Sequence, residues 1–121
     1  MAKQWLNPFP RLWRATCISL AGLRGALLHE QAFREEILVL LVAAPLGWYL
    51  GQNGIERALL IGSWLLVMVI ELLNSAIEAA VDRVGGEHHD LAGRAKDYGS
   101  AAVFCAIAIS VITWILILGG R

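Results

Sequence analysis

Apolar residues gather in three long segments that short polar stretches separate. The first runs from about Glu36 to Leu50, the second begins near Arg57, and the third reads YGSAAVFCAIAISVITWILILGG. A helix needs about 20 residues to cross the ~30 Å hydrocarbon layer of a bilayer. The second and third segments have this length, and the first reaches it if it starts near residue 32. The pattern therefore predicts transmembrane helices over about 32–51, 57–82 and 98–119, with a tight polar turn at GQNG between the first two.

Residues 10–35 have a mixed pattern, in which one helical face is apolar and charged residues interrupt the others. A helix of this kind with nearby tryptophans lies along a membrane surface. An amphipathic helix of a soluble protein would look similar, but the remaining sequence offers no soluble core for it to cover. We therefore expect a surface helix over about 10–30. Its apolar face would hold Leu12, Thr16, Leu20, Leu23 and Leu27.

The composition agrees with a membrane protein. The 121 residues are 58% hydrophobic with a mean hydropathy of +0.62, whereas ordinary soluble domains are roughly half apolar. Cys17 and Cys105 form no pattern of a disulfide framework or a zinc site. Basic residues recur through Met1–Leu28, which argues against a secretory signal peptide. The sequence thus predicts an all-α membrane protein made of one domain, residues 1–121.

The Lys and Arg residues are distributed unevenly about the three predicted spans. Three spans place the N-terminus and the 82–97 loop on one side, which then carries eight of the ten cations, while Arg57 and Arg121 lie on the other. Because cytoplasmic segments are enriched in these residues, we expect the N-terminus and this loop in the cytoplasm and the C-terminus on the opposite side. The eight are Lys3, Arg11, Arg14, Arg24, Arg34, Arg83, Arg94 and Lys96.

The second predicted span carries a polar stripe in its later half. Glu71, Asn74, Glu78 and Asp82 follow at spacings of three, four and four, which places them on one side of a helix. Polar groups are costly in hydrocarbon, so the stripe points to function, although such residues also hold membrane helices together. In the expected orientation, Glu71 lies inside the hydrocarbon near its cytoplasmic edge, and Glu78 lies about 10 Å closer to the cytosol.

Charged residues from other parts of the chain reach the same cytoplasmic level. Carboxylates such as Glu30 and Glu78 suit a divalent metal bound to a nucleotide. Lys96, with Arg11 or Arg94, would neutralise phosphate oxygens as their charge spreads during transfer. This combination is typical of phosphoryl transfer.

A carboxylate at the depth of Glu71 would accept a proton from a lipid hydroxyl, and partial loss of hydration would make it a stronger base. Asn74, one turn further, is placed to orient that carboxylate. The sequence contains no GxxxxGK[ST], GxGxxG, HRD or DFG motif of soluble nucleotide-binding enzymes. From the residues alone, phosphoryl transfer at the membrane surface is therefore one hypothesis among several.

Three segments carry specific patterns: GLRGALLHEQAFREE at 22–36, ELLNSAIEAAVDR at 71–83 and HHDLAGRAKDYGSAAV at 88–103. In this order, and with the three spans, they resemble the bacterial integral-membrane diacylglycerol kinases over nearly the whole chain. The resemblance implies a homotrimer of three-span subunits in the bacterial inner membrane, with active sites shared between subunits. It implies transfer of the γ-phosphate of MgATP to diacylglycerol, which gives phosphatidate. No feature points to a nucleic-acid partner.

The same resemblance implies roles for individual residues. Glu71 would be the general base with Asn74 supporting it, and Glu30 and Glu78 would hold Mg²⁺. The lipid site would include Arg11, Ser19, Arg24, Glu35, Trp48 and Glu71. The ATP site would include Arg11, Glu30, Glu78, Glu87, His88, His89, Lys96 and Asp97, together with Ile18 at a place where a polar aromatic residue is expected.

Other interpretations remain open. His88 and His89 are also typical of an exposed loop, and Arg14 and Arg24 of contact with anionic headgroups. A polyprenol kinase of the same family, acting on a lipid such as undecaprenol, would have nearly the same chemistry, although the surface segment and the lipid-side residues favour diacylglycerol. A small proton-coupled transporter would use Glu71 as its proton carrier. A structural membrane subunit would bind no nucleotide.

Overall fold

The computed structural model describes residues 8–84 and 90–121, which form α-helices joined by short connections. This described part contains no strand, so the predicted all-α class is confirmed. The chain divides into two compact units, one ending at Gln31 and the other beginning at Ala32, and we describe them in turn. The described residues form four helices: α1 (Phe9–His29), α2 (Gln31–Leu50), α3 (Gly54–Val84) and α4 (Asp90–Gly119).

Helix α1 makes up most of the first unit. Pro10 lies in its first turn, where the missing N–H breaks no helical hydrogen bond, and the Leu12 N–H donates to the Pro8 carbonyl at 3.0 Å. The helix ends where Glu30 adopts extended backbone angles (φ −113°, ψ 109°), although the Glu30 N–H still donates to the Ala26 carbonyl at 2.9 Å. These bounds differ by one residue at each end from the predicted 10–30.

Most apolar side chains of α1 are exposed within the chain. A helix that buries so little apolar surface needs lipid or another protein surface to cover it. Such exposure is expected of a helix on a membrane surface, and that placement stays a prediction. The exposed large apolar residues are Phe9, Leu12, Trp13, Ile18, Leu20, Leu23, Leu27 and Leu28.

In the second unit, α3 and α4 are the two described helices that are long and apolar enough to cross a membrane. The predicted spans 57–82 and 98–119 lie within them. With 31 and 30 residues, each helix is roughly 45 Å long at 1.5 Å per residue, which exceeds the ~30 Å hydrocarbon layer. Each helix is therefore longer than the hydrocarbon layer is thick.

The predicted loop over 82–97 was wrong at both of its ends. Helix α3 continues to Val84, and α4 already begins at Asp90, so residues 90–97 are helical. Hydropathy shows where lipid contact ends, whereas helical hydrogen bonds continue as long as the backbone geometry allows. The first two turns of α4 consequently carry the charged residues that the sequence pattern had placed in a loop.

Helix α2 matches the predicted first segment, 32–51, within one residue at each end. Three charged residues, Arg34, Glu35 and Glu36, lie near its start, and the apolar remainder, 37–50, spans only about 21 Å. It is therefore not one of the two helices identified by length and composition as able to cross a membrane. Pro45 lies inside the helix.

The main packing of the second unit is between α3 and α4. Leu60 and Val67 on α3 are fully buried, and small residues on α4 are buried as well. The Ser63 and Ser110 hydroxyls are 3.0 Å apart and hydrogen-bonded. The Trp114 indole N–H donates to the Leu60 carbonyl at 3.0 Å. Small residues allow membrane helices to approach closely, and those buried on α4 are Gly99, Ala106 and Ser110.

Helix α2 also packs on α3. The Trp64 indole N–H donates to the Glu36 carbonyl at 2.9 Å. Near the other end of α2, a Cβ at Gly47 would lie 3.2 Å from Leu60 Cβ and 3.1 Å from Ile61 Cγ1. A larger residue at 47 would push the two helices apart. On the outside of the unit, α2 and α4 border an apolar groove of about 630 Å³, as expected for a lipid-facing or subunit-facing surface.

The predicted turn at GQNG is confirmed, because α2 ends at Leu50 and α3 begins at Gly54. Asn53 caps α3, since its Oδ1 accepts the Glu56 N–H at 2.9 Å. Glu56 Oε1 accepts the Gln52 N–H at 3.0 Å and contacts Arg121 Nη2 at 2.6 Å. The pKa of Glu56 lies below its ordinary value mainly because the backbone N–H of Gln52 donates to its carboxylate. The hydrogen bond from the Arg121 guanidinium is the second cause. This network ties the end of α4 to the turn.

Candidate active site

The first two residues of the polar stripe on α3, Glu71 and Asn74, lie in the packed interior of the second unit. Glu71 and Asn74 are buried, with 7% and 8% of their surface exposed, while Glu78 is half-buried and Asp82 is exposed. The predicted common face is thus present, and it passes from the packed interior to the surface over three helical turns. Buried polar groups need partners, so the neighbours of this stripe define the candidate site.

Asn74 connects two parts of the stripe. Its Nδ2 donates to Glu78 Oε1 at 3.4 Å, which is a long hydrogen bond. Its Oδ1 is buried and accepts no hydrogen bond within the described residues. Asn74 was expected to orient Glu71, and this role stays a prediction. The structure shows that its amide contacts the expected metal ligand, Glu78, one turn further along the helix.

Helix α4 passes Asn74 at Gly99. A Cβ added at Gly99 would overlap Asn74 Oδ1 and would lie 3.3 Å from Asn74 Cγ. The buried Asn74 amide therefore depends on the absence of a side chain at this position of α4. Sequence reasoning did not single out Gly99, because a glycine in an apolar helix gives no polar signal.

Lys96, one turn before Gly99 on α4, forms an ion pair with Asp82, and its Nζ lies 2.5 Å from Asp82 Oδ1. The hydrogen bond with Asp82 and the charge of Asp82 raise the pKa of Lys96, and the more distant charge of Glu78 adds to this. The charges of Lys96 and Glu78 therefore act on each other, while their shared role in a nucleotide site stays a prediction. The ammonium group is partly exposed and remains accessible to a phosphate.

Glu36 is a candidate that sequence reasoning missed. It lies near the start of α2, is only 8% exposed, and interacts electrostatically with Glu71. Its Oε1 is buried and has no hydrogen-bond partner within the described residues. Glu35, which was expected in the lipid site, is exposed beside it. The signal was available: Glu36 lies three residues after Phe33 and eleven before Gly47, on the face of α2 that is buried.

The remaining predicted residues are distributed as follows. Arg11, Ile18, Ser19, Arg24 and Glu30 belong to the first unit, so their convergence with α3 stays a prediction. Within that unit Glu30 is half-buried and the other four are exposed, and the Ser19 hydroxyl donates to the Ala15 carbonyl at 2.8 Å. Asp97 is exposed on α4. Glu87, His88 and His89 lie outside the described residues.

Trp48 is the predicted lipid-site residue that lies far from the stripe. It is near the end of α2, roughly 20 Å along the helix axis from Glu35 at its start. There the Arg57 guanidinium lies 4.7 Å from the centre of the Trp48 ring, and Arg57 Nε donates to the Trp48 carbonyl at 3.0 Å. The structure therefore places Trp48 at the turn between α2 and α3.

The carboxylate of Glu78 is the group of the stripe that could bind a metal ion. No cluster of three His, Cys, Asp or Glu residues exists within 8–84 and 90–121. Mg²⁺ rarely needs such a cluster, since one or two carboxylates with nucleotide phosphates and water complete its coordination. Among the described residues, Glu78 receives one long hydrogen bond, from Asn74, and it is half-buried. The donor chemistry at Glu78 therefore suits a Mg²⁺ ion that a nucleotide brings.

Comparison with known proteins identifies the family. The sequence profile described as prokaryotic diacylglycerol kinase matches residues 17–118. The diacylglycerol kinase of Escherichia coli K12 is 52% identical over 110 residues, which cover 91% of this chain and 90% of that protein. The enzyme of Haemophilus influenzae is 52% identical over 103 residues (85% and 87%), and that of Pseudomonas aeruginosa 48% over 110 residues (91% and 89%). The chain belongs to the prokaryotic diacylglycerol kinase family.

Proposed function

We propose that the protein transfers the γ-phosphate of MgATP directly to the hydroxyl of diacylglycerol and so forms phosphatidate. The observation that carries this proposal is the stripe on α3, where buried Glu71 and Asn74 lead to Glu78, close to the cation of Lys96. The names of the relatives support the lipid acceptor. A water-soluble donor and a lipid alcohol can meet only where such a stripe crosses from lipid to water.

The depth of Glu71 suits a base that acts on a lipid. It lies 14 residues after Arg57 on α3, which is about 21 Å along the helix, so most of the ~30 Å hydrocarbon layer lies on one side of it. A glycerol hydroxyl lies at this depth when its acyl chains occupy the bilayer. Burial of Glu71 within the second unit would exclude water, which would compete as a phosphate acceptor.

Glu71 acts as the general base. Its carboxylate accepts the proton of the lipid hydroxyl while the hydroxyl oxygen forms a bond to the γ-phosphorus. The bond between that phosphorus and the oxygen bridging to the β-phosphate breaks, and ADP leaves with the electron pair. Asn74 would orient the Glu71 carboxylate, and its hydrogen bond with Glu78 restricts that second carboxylate. No covalent enzyme intermediate is needed, because both substrates are bound at one site.

Glu78, with Glu30 of the first unit, would hold Mg²⁺. When bound, the ion neutralises charge on the β- and γ-phosphates and aligns them for transfer. Lys96 would exchange Asp82 for a phosphate oxygen, since an exposed ion pair is weak. Arg11, Asp97, Glu87, His88 and His89 would contribute further nucleotide contacts, and Ile18 would lie near them.

The finer architecture is part of this proposal. Helix α2 would cross the membrane together with α3 and α4, with Glu35 and Glu36 at its cytoplasmic end. Helix α1 would lie on the inner surface of the bacterial inner membrane. Ser19, Arg24, Glu35 and Trp48 would line the lipid site. A homotrimer would complete each site with residues of a neighbouring subunit, since the second unit exposes extensive apolar surface.

The test is an acceptor assay with the purified protein in mixed micelles. Diacylglycerol and undecaprenol are offered separately with γ-labelled ATP and Mg²⁺, and the labelled lipids are separated. We expect label in phosphatidate. Label in polyprenyl phosphate alone would assign the other acceptor, and label in neither lipid would contradict a kinase.

A further inference from the structure

Gly99 lies in the interior of α4, where glycine is unfavourable. Glycine destabilises a helix interior by about 1 kcal/mol relative to alanine, so its presence needs a reason. A Cβ at 99 would overlap Asn74 Oδ1 and would lie 3.3 Å from Asn74 Cγ and 3.8 Å from Asn74 Cβ. By contrast, a Cβ at Gly62 on α3 would meet no atom within 4 Å. The Asn74 side chain therefore occupies the space that a side chain at position 99 would need, whereas the space at Gly62 is empty.

The space at Gly99 determines where the Asn74 amide points. Asn74 is 92% buried, since 8% of its surface is exposed, and its Nδ2 reaches Glu78 only at 3.4 Å. A methyl group at 99 would displace the Oδ1 end of the amide by about 1 Å or more, because heavy atoms in contact stay near 3.5 Å. A hydrogen bond that is already long would not survive this displacement.

Alternatively, α4 would move away from α3. Lys96 lies one turn before Gly99 on the same helix, and its ion pair with Asp82 crosses between the two helices at the exposed end. A shift of α4 would therefore also alter the position of Lys96 relative to Glu78. Either response changes the arrangement of groups around the expected nucleotide and metal.

We infer that Gly99 is a positioning residue for phosphoryl transfer: it lets α4 approach α3 closely enough to hold the Asn74 amide against Glu78 and so orients that carboxylate toward the metal. This inference rests on the proposed function. Gly99 does not contact the reacting atoms, and it acts through Asn74. Groups that orient a metal ligand typically change metal affinity or activity about 10- to 100-fold when removed.

The experiment compares Gly99→Ala with Gly62→Ala in the full-length protein. Gly62→Ala introduces the same methyl group in a helix interior about 18 Å from Asn74 along α3 and should leave kcat and the Mg²⁺ dependence unchanged. Gly99→Ala should lower kcat about tenfold and raise the half-maximal Mg²⁺ concentration about tenfold. The KM for diacylglycerol should change less than twofold. Wild-type kcat and Mg²⁺ dependence in Gly99→Ala would overturn the inference.

A second measurement covers the case in which Gly99→Ala folds poorly. Asn74→Ala removes the atoms that a Cβ at 99 would overlap, and alanine is more favourable than glycine in a helix interior by about 1 kcal/mol. The double variant should therefore unfold at or above the temperature of Asn74→Ala alone, even if Gly99→Ala unfolds lower. A double variant that stays as unstable as Gly99→Ala would show that the contact with Asn74 is not responsible. This thermal coupling does not depend on the acceptor, so it would persist even if the lipid assay contradicted the proposed function.

Discussion

Glu36 on α2 and Glu71 on α3 are buried carboxyl groups that interact electrostatically across the helix interface. The Trp64 indole fixes the backbone next to Glu36 by donating to its carbonyl. Two acidic groups in a buried environment destabilise each other when both are charged. The protein thus retains an unfavourable pair beside its expected base, which is typical of an active site.

The first prediction concerns this pair. Glu36→Gln keeps the size of the side chain and removes one of the two charges. We expect the thermal unfolding temperature of the purified protein to rise by a few degrees, since about 1 kcal/mol moves the midpoint of a domain of this size by roughly 4 °C. Asp97→Asn is the control, because Asp97 is exposed and is not among the charges that act on Glu36, and it should change the midpoint little. A lower unfolding temperature for Glu36→Gln would show that Glu36 and Glu71 do not destabilise the fold by charge repulsion.

Hydropathy predicted much of the fold, because the residues of a membrane span must be predominantly apolar. The bounds of α2 and the turn at Gly51 were predictable in this way. The charged turns of α4 before Tyr98 were not, since a helix can continue into water. Gly99 and Glu36 depend on contacts between helices, and a pattern along one helix does not show which neighbour lies opposite.

The second prediction tests Glu78 as a metal ligand. Glu78→Gln preserves the shape of the side chain and a carbonyl oxygen that can still accept from Asn74, but it removes the charge that Mg²⁺ requires. We expect a half-maximal Mg²⁺ concentration that is about tenfold or more higher, measured as activity against free Mg²⁺ at saturating ATP. Asp90→Asn removes an exposed carboxylate to which no site role is assigned, and it serves as the control. Ordinary Mg²⁺ activation in Glu78→Gln would refute the ligand role.

The third prediction concerns the ion pair of Lys96 with Asp82. The pair raises the pKa of Lys96, so its contribution to stability is fully present below the ordinary lysine pKa of about 10.4 and is lost only as the pH rises through the higher pKa of the folded state. At neutral pH, Asp82→Ala should therefore leave Lys96 charged. Because the ammonium group is then no longer shared, we expect the KM for ATP to fall or stay constant.

Lys96→Ala is the matched variant on the other side of this pair. It removes the expected phosphate contact, so the KM for ATP should rise and kcat should fall, by about a hundredfold or more together in kcat/KM. If Asp82→Ala and Lys96→Ala lowered kcat/KM for ATP equally, the enzyme would need the intact ion pair between Lys96 and Asp82. A free Lys96 cation would then not be sufficient. Steady-state kinetics with ATP as the varied substrate distinguish these outcomes.

The last prediction concerns the base. Glu71→Gln leaves a polar side chain of the same size at a buried position, so the packing of α3 should persist, but it cannot accept a proton from a lipid hydroxyl. Loss of a general base lowers the rate about 10²- to 10⁴-fold, and kcat should fall by this amount in the phosphatidate assay. Equilibrium binding of MgATP should change little, because the nucleotide contacts are expected at Glu78 and Lys96. Turnover at the wild-type rate would remove Glu71 from the mechanism. Lost turnover with lost MgATP binding would instead assign it to the nucleotide site.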